Sequence, residues 1–593
     1  MSLLLVAAMG LSLYPAQAQT QRLEFAMTDN PGSWFESNVG AIGGTRSLGV
    51  VSPGSRVVFS GHSNTVHTVT GLLFPTGAAN MPFAAAPTKG SVDVVLTTPG
   101  LYVFFCQIHP YMFAAVIVDD PATAGLDLGE SITLVNGVTV PTSSDLATRL
   151  LRTFFIATNP ANWQDYTSTA PWHITYPDVD VRITGGAVVN LAAVLSARYG
   201  NDMALKPLTN PDVPGVGEVW VDTQFELTAG KDKPGTATAI DTQTWQVTRK
   251  VALPEIDMNN PHNMWTDRDQ TIIYQTQWFD SKLAIFDRET GKLIDNISLG
   301  ESPAHVITLP SNDRVYVTIN GAEDPTSVVE LAPKGAGVEG RIDIDAPHPH
   351  GHWVSADGTK LMTPNVVTDD SSIFNFATRA VAAKPKTGSH PLAIGVMPDG
   401  SKYYVANLVD STITVVDIRS GTVIKTINLL ANYDPISGTI TGPVGALPIQ
   451  TPVSPDGQSM VTANTLTATI TVIDPETDTI VAMLPGDAGA HGVQFGAKLG
   501  GGYYAYVANK FSNSLTVVDP DPNGDGNPAD ATIAGRIALV SSPATQADDT
   551  VVSNAGMGGQ GVLPIPVVYN GWVQNLPAFW ADQLTPAQRN PLP

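Results

Sequence analysis

Within seven residues, Cys106-Gln107-Ile108-His109-Pro110-Tyr111-Met112, the chain offers a thiolate, an imidazole and a thioether. A soft thiolate and two imidazoles hold copper in a trigonal plane, while a long axial methionine bond tunes its potential. Cys106, His109 and Met112 supply three such ligands, so the second imidazole must come from upstream. Ser63-Asn64-Thr65-Val66-His67 ends on a histidine at the start of an apolar run, which makes His67 a better candidate than His62. The competing reading is a buried free cysteine beside an unrelated histidine, since free cysteine often serves as a small hydrophobe.

A second group of imidazoles lies further along. His262, His305, His348, His350, His352, His390 and His491 each fall just ahead of the first strand of a repeated unit, in Pro261-His262-Asn263, Pro303-Ala304-His305, Pro-His-Pro-His-Gly-His, Ser389-His390-Pro391 and Ala490-His491-Gly492. His348, His350 and His352 are two apart, which puts them on one face of an extended segment. Gathered imidazoles suit copper, zinc, iron or nickel. The thiolate site in the same chain tips the choice to copper, with His262, His305, His350, His390 and His491 as the catalytic ligands. Units at Ile449-Gln450 and Gln560-Gly561 lack histidine and would leave coordination positions open for substrate. A third donor set is hard: Asp519, Asp521, Asn523, Asp525 and Asp530, with Gly524 among them, follow the oxygen spacing of a calcium loop, so bound Ca²⁺ is expected there.

These residues need elements to hold them. Gly100 to Phe105 before the copper loop and Phe113 to Val118 after it read as a β-hairpin at one end of a small sandwich. Polar residues ten apart recur as Gln277/Asp287, Asn320/Glu330, Asn365/Asn375, Asn407/Asp417, Asn464/Asp474 and Asn509/Asp519, with steps of 43, 45, 42, 57 and 45 between the first members. The long step contains an insertion near Tyr433 to Gly445. Steps of this size are propeller blades, whose first strands line a central channel. A less regular unit from Glu218 to Leu253, closed by Gly561 to Tyr569, makes seven blades, with eight as the alternative.

The expected fold is all-β: a sandwich over 19–120, a mixed connecting region over 121–213, and a seven-bladed propeller over 214–593. In the connecting region Ser144 caps a helix carrying Leu146, Leu150, Leu151 and Phe154 at helical spacing, stopped by Asn159-Pro160. At 593 residues the chain is too long for one core. Its net charge of −23 argues against nucleic acid or an anionic membrane surface as partner. With one cysteine no intrachain disulfide forms, so the thiol is free for metal. Residues 1–18 read as a signal peptide, with an apolar run from Leu3 to Leu13 and Ala16-Gln17-Ala18 as the cleavage site, although no Lys or Arg precedes the run. Export to a periplasm follows, and no later stretch is apolar for long enough to span a bilayer.

The loop Cys-x-x-His-Pro-aromatic-Met resembles that of amicyanin-like cupredoxins. Tyr404-Val405-Ala406-Asn407 and Tyr506-Val507-Ala508-Asn509, each followed by Thr-Val-Val-Asp, resemble the bacterial YVTN-type propeller repeat, with Pro398-Asp399-Gly400 and Pro455-Asp456-Gly457 as hairpin turns. A histidine-lined propeller with a cupredoxin in the same polypeptide resembles nitrous oxide reductase. A histidine-lined propeller alone resembles the copper-dependent thiocyanate dehydrogenases. Here the cupredoxin is N-terminal with the single Cys106, where nitrous oxide reductase has a C-terminal, two-cysteine binuclear site, and no adjacent His-His pair occurs. The resemblance therefore implies a copper cluster in a propeller, served by a cupredoxin. No flanking His-Cys-His of multicopper oxidases, dinucleotide fingerprint, phosphate loop or haem motif is found.

Two readings result. One is a periplasmic copper oxidoreductase that passes electrons between type 1 copper and a propeller cluster and acts on a small inorganic or one-carbon molecule. The other is an electron or copper carrier whose propeller is a docking scaffold. Either would work with a periplasmic redox partner such as a c-type cytochrome or another cupredoxin, and a homo-oligomer is compatible with both.

Overall fold

The computed structural model describes residues 22–592 except 64, 322–326 and 553–555. The signal-peptide expectation over 1–18 lies outside the described residues. No helix of the described residues is long and apolar enough to cross a membrane.

The N-terminal strands form two facing sheets. One runs in the order Phe35–Ser37, Leu23–Met27, Ser55–Gly61, Ser91–Leu96. The other runs Thr139–Pro141, Ser131–Leu134, Thr70–Pro75, Gly100–Phe105, Phe113–Val118, Leu48–Val51. Alternation supplies the filling: Leu23, Phe25 and Met27 point inward from one strand and are fully buried. Phe25 stacks on Phe59, and Phe59 meets Phe104 of the other sheet edge to face. Burying such side chains is worth roughly 1.5–3 kcal/mol each before entropy is subtracted. The second sheet runs past Asp120, because Ser131–Leu134 pairs with Thr70–Pro75 and is itself paired with Thr139–Pro141.

Between sandwich and propeller lies the helix Asp145–Ala157, with Ser144 accepting from the Ala147 amide as its cap. The insertion after the fourth four-stranded blade sheet receives the start of this helix. The amides of Asp145 and Leu146 donate to the carbonyls of Ile436 and Pro435, and the Tyr433 hydroxyl donates to the Asp145 carboxylate at 2.6 Å.

Seven sheets form the propeller ring. The chain closes it by laying Gly559–Ile565 against Glu218–Thr223, so the last blade holds strands from both ends of the domain. The ten-residue polar spacing now has a cause. Asn407, Asn464 and Asn509 end second strands and donate across the turn to Thr414, Thr471 and Thr516 of third strands. The second members organise the next turn, as Asp417 does by accepting from the Ser420 amide at 2.7 Å. The sandwich caps one end of the ring. Asp29 accepts from Lys233 and Asn259 of the propeller, and Tyr111 of the cysteine loop shares a 2.6 Å hydrogen bond with Thr465.

Candidate metal centres

The hairpin Gly100–Phe105/Phe113–Val118 holds its strands in register up to Phe105 opposite Phe113, and the cysteine loop closes above that pair. The Cys106 amide donates to the Met112 carbonyl and the Met112 amide to the His109 carbonyl, so the loop folds back on its own backbone. The Nδ1 atoms of His67 and His109 lie 3.9 and 3.6 Å from Cys106 Sγ. All three donors are within 4.8 Å of one another and buried. Each ring is oriented from its far nitrogen: His67 Nε2 is 2.6 Å from Ser63 Oγ, and His109 Nε2 is 3.4 Å from Ser302 Oγ of the propeller. The amides of Thr68 and His109 point at the sulfur from 3.4 Å. Burial raises the Cys106 thiol and lowers both imidazoles, His67 to about 4, so without a cation this pocket favours neutral groups. Met112 is buried in the same loop. The donor set fits a soft, thiophilic metal.

In the propeller, His262, His305 and His350 bring ring nitrogens within 4.8 Å of one another. His262 Nε2 and His350 Nε2 are 3.1 Å apart. His350 donates from Nδ1 to the Leu392 carbonyl at 2.8 Å, which leaves Nε2 as the acceptor. The Gln560 amide nitrogen donates to His262 Nδ1 at 2.7 Å, so the short contact is one proton shared between two imidazoles. A metal at this trio would be held by His262, His305 and His350. Glycines allow the convergence: a Cβ at Gly351 or Gly492 would strike Ala393 or the Gln560 carbonyl of the adjacent inner strand.

The other sequence candidates sit around this trio. Both ring nitrogens of His352 and His390 and Nδ1 of His491 are buried without a hydrogen-bond partner. His390 packs on Phe105 and His491 on Tyr111, so these two face the cysteine loop. His348 is tied by Nδ1 to the Asn320 carbonyl. Burial lowers His350 to about 4 and His352 and His390 to about 3. In the acidic loop, Asp521, Asp525 and Asp530 come within 4.8 Å of one another, while Asp519 turns away to pair with Lys498 at 2.9 Å and Asn523 donates to Asp525. Asp521 accepts from the amides of Gly524 and Asp525 at Oδ1 and from that of Gly526 at Oδ2, which leaves Oδ2 one further acceptor position.

Between the two imidazole groups stands Trp278, fully buried, with His109 at 5.0 Å and His262 at 4.0 Å between ring centroids. Close by, Lys510 donates to Gln224 and Gln560, has Tyr111, Phe225 and Trp278 around it, and is driven by burial well below the ordinary lysine range. Asp222, buried against Gln275, is pushed well above the usual carboxylate range. Trp278, Lys510 and Asp222 had no sequence signal, because a lone Trp, Lys or Asp in or just after a strand reads as packing.

The family described as Lactonase, 7-bladed beta-propeller, matches residues 228–524, half of the chain. The chain belongs to this propeller family. The sandwich and its cysteine loop lie outside the matched residues. Among curated proteins none matches. Three solved structures illustrate the likeness. Hydrazine synthase of Kuenenia stuttgartiensis is 16% identical over 52% of this chain and 96% of that one, with a TM-score of 0.41. A functionally unknown protein from Desulfotomaculum acetoxidans is 14% identical over 58% and 98%, with a TM-score of 0.41. A candidate 6-phosphogluconolactonase from Bacteroides uniformis is 18% identical over 56% and 99%, with a TM-score of 0.42.

Proposed function

We propose that the protein is an exported copper oxidoreductase. His67, Cys106, His109 and Met112 would hold a type 1 copper, and the propeller histidines around His262, His305 and His350 would hold the copper that serves as its electron partner. The observation that carries this reading is the single indole, Trp278, in ring contact with a histidine of each group. A docking scaffold has no need for two buried, neutral imidazole groups joined through one aromatic side chain. The family match speaks for the fold and leaves the chemistry to the side chains in the channel.

Copper, when bound, supplies one-electron chemistry and a coordination position for substrate. The chain's own residues do the rest. Ser63 and Ser302 fix the histidine rings beside Cys106, Leu392 and Gln560 orient His350 and His262, and the sandwich excludes water from one end of the axis. Next to His305 and His352 is a cavity of about 40 Å³ walled by Asn263, Gln450, Gln494 and the Trp265 and Trp353 indoles. At roughly 10–15 Å³ per water-sized group, it has room for about three such groups. That size favours a small inorganic or one-carbon substrate. The same reading assigns calcium to Asp521, Asp525 and Asp530, since carboxylates suit hard cations, and an unchanged melting temperature between excess chelator and millimolar calcium would remove it.

Metal analysis with an optical spectrum tests the main claim. Wild type is expected to hold at least two coppers per chain. The double variant His305→Ala/His350→Ala is expected to lose propeller copper and activity while the blue band survives. If the double variant keeps the full copper complement, the carrier reading wins.

A further inference from the structure

A cavity of about 270 Å³ opens between the connecting region and the propeller, close to the lower end of the roughly 300–1,000 Å³ typical of small-molecule sites. Arg152 of the helix and Lys206 of the connecting segment line it, with Trp172, Met203, Leu466 and Phe511 as apolar walls. The Arg152 guanidinium lies over the rings of Trp172 and Tyr199, at 5.6 and 5.2 Å, which fixes its plane. Its Nε is buried with no hydrogen-bond partner, and among the described residues no carboxylate pairs with it. A planar, always-charged fork held in place without an anion is a carboxylate receptor in waiting.

The surrounding charges point the same way. Lys206 shares Asp487 with Arg536, whose Nε is 2.8 Å from that carboxylate, so one anion serves two cations. On the helix, Asp145 alone serves both Arg149 and Arg198. The charged residues that line the cavity itself, Arg152 and Lys206, are both cations, in a chain whose net charge is −23. The apolar walls would take a body, not only a charge.

We propose that this cavity binds a small organic carboxylate, its carboxylate on Arg152 with Lys206 alongside and its apolar body against Trp172 and Phe511. The cavity wall adjoins the cysteine loop. Thr465, another lining residue, bonds the Tyr111 hydroxyl at 2.6 Å, and Phe511 meets the Tyr111 ring edge to face at 5.8 Å. An occupant would touch the residues that hold Tyr111, whose ring is 5.6 Å from that of His491.

The test uses the full-length, metal-free protein, so it does not depend on the copper reading. Benzoate is titrated calorimetrically, with benzamide as the uncharged isostere and acetate as the charge without the body. Benzoate is expected to bind, with benzamide and acetate each at least about tenfold weaker. Arg152→Gln is expected to lose about tenfold or more in benzoate affinity and Lys206→Gln less, with folding checked by circular dichroism. The proposal is overturned if benzoate does not bind, or binds no better than benzamide. Equal benzoate affinity in folded Arg152→Gln also overturns it. If Arg152→Gln does not fold, the benzoate-to-benzamide ratio of wild type and Lys206→Gln decides.

Discussion

The His262 imidazole lies nearly flat on the Trp278 indole, with centroids 4.0 Å and planes 24° apart. His109 meets the same indole at 5.0 Å, and the His109 ring is itself stacked on Phe279 at 4.2 Å. The sandwich therefore presents to the propeller the histidine that belongs to its own thiolate site. Trp278→Leu removes the shared ring while leaving every proposed ligand in place. The variant is expected to keep both its blue band and its copper content, yet to re-oxidise a flash-reduced blue site more slowly than wild type. An unchanged rate in the folded, fully loaded variant would remove Trp278 from the route.

The thiolate makes the second prediction. Cys106→Ser should abolish the blue band, because the charge transfer that produces it begins on sulfur. Met112→Leu should keep the colour and raise the potential, since a weak donor that stabilises Cu(II) is gone. A redox titration followed optically reads both, and a colourless copper-loaded wild type would contradict the assignment.

What could be read in advance was whatever is contiguous or periodic. Cys106, His109 and Met112 sit in one loop, and the asparagines at 407, 464 and 509 repeat because each makes the same bond across the same turn. The histidines were legible as a register but not as a geometry. Register shifts break the first strands between Pro261 and Met264, Pro303 and Val306, and Pro391 and Ala393. Such bulges re-aim side chains by amounts no spacing reveals. So His262, His305 and His350 meet, while His390 and His491 turn toward Phe105 and Tyr111. Trp278 and Lys510 could not be found at all, and Gln560 was visible only as a blade entry without histidine, since their roles exist only once distant strands are packed together.

Histidine burial sets a pH dependence for the metal-free protein. His67 and His350 titrate at about 4, and His352 and His390 at about 3, against an unfolded value of 6.5. Below pH 6.5 the unfolded chain binds protons that the folded chain refuses, so stability falls as pH falls. The loss should begin near pH 6.5 and continue through pH 4 toward 3. Thermal melts in excess chelator across that range should show the midpoint dropping steadily, and a flat profile from pH 6.5 to 4 would contradict the neutral, buried state of these rings.

Ring closure rests partly on a buried ion pair. Lys250 donates to both oxygens of Glu226 at 2.9 and 2.8 Å and to the Leu539 carbonyl of the preceding blade, with both charged side chains essentially inaccessible to solvent. Removing one partner leaves the other charge buried and uncompensated, which costs about 3–5 kcal/mol, whereas replacing both with apolar side chains of similar volume is often neutral or stabilising. Glu226→Ala is therefore expected to lower the urea midpoint of the propeller sharply, and Lys250→Met/Glu226→Leu to restore most of it. The double variant isolates charge from packing, because it keeps the volume that fills the space between the closing blade and Leu539. If both variants were equally destabilised, the pair would matter for its shape and hydrogen bonds to Thr236 and Leu539 rather than for the compensation of charge.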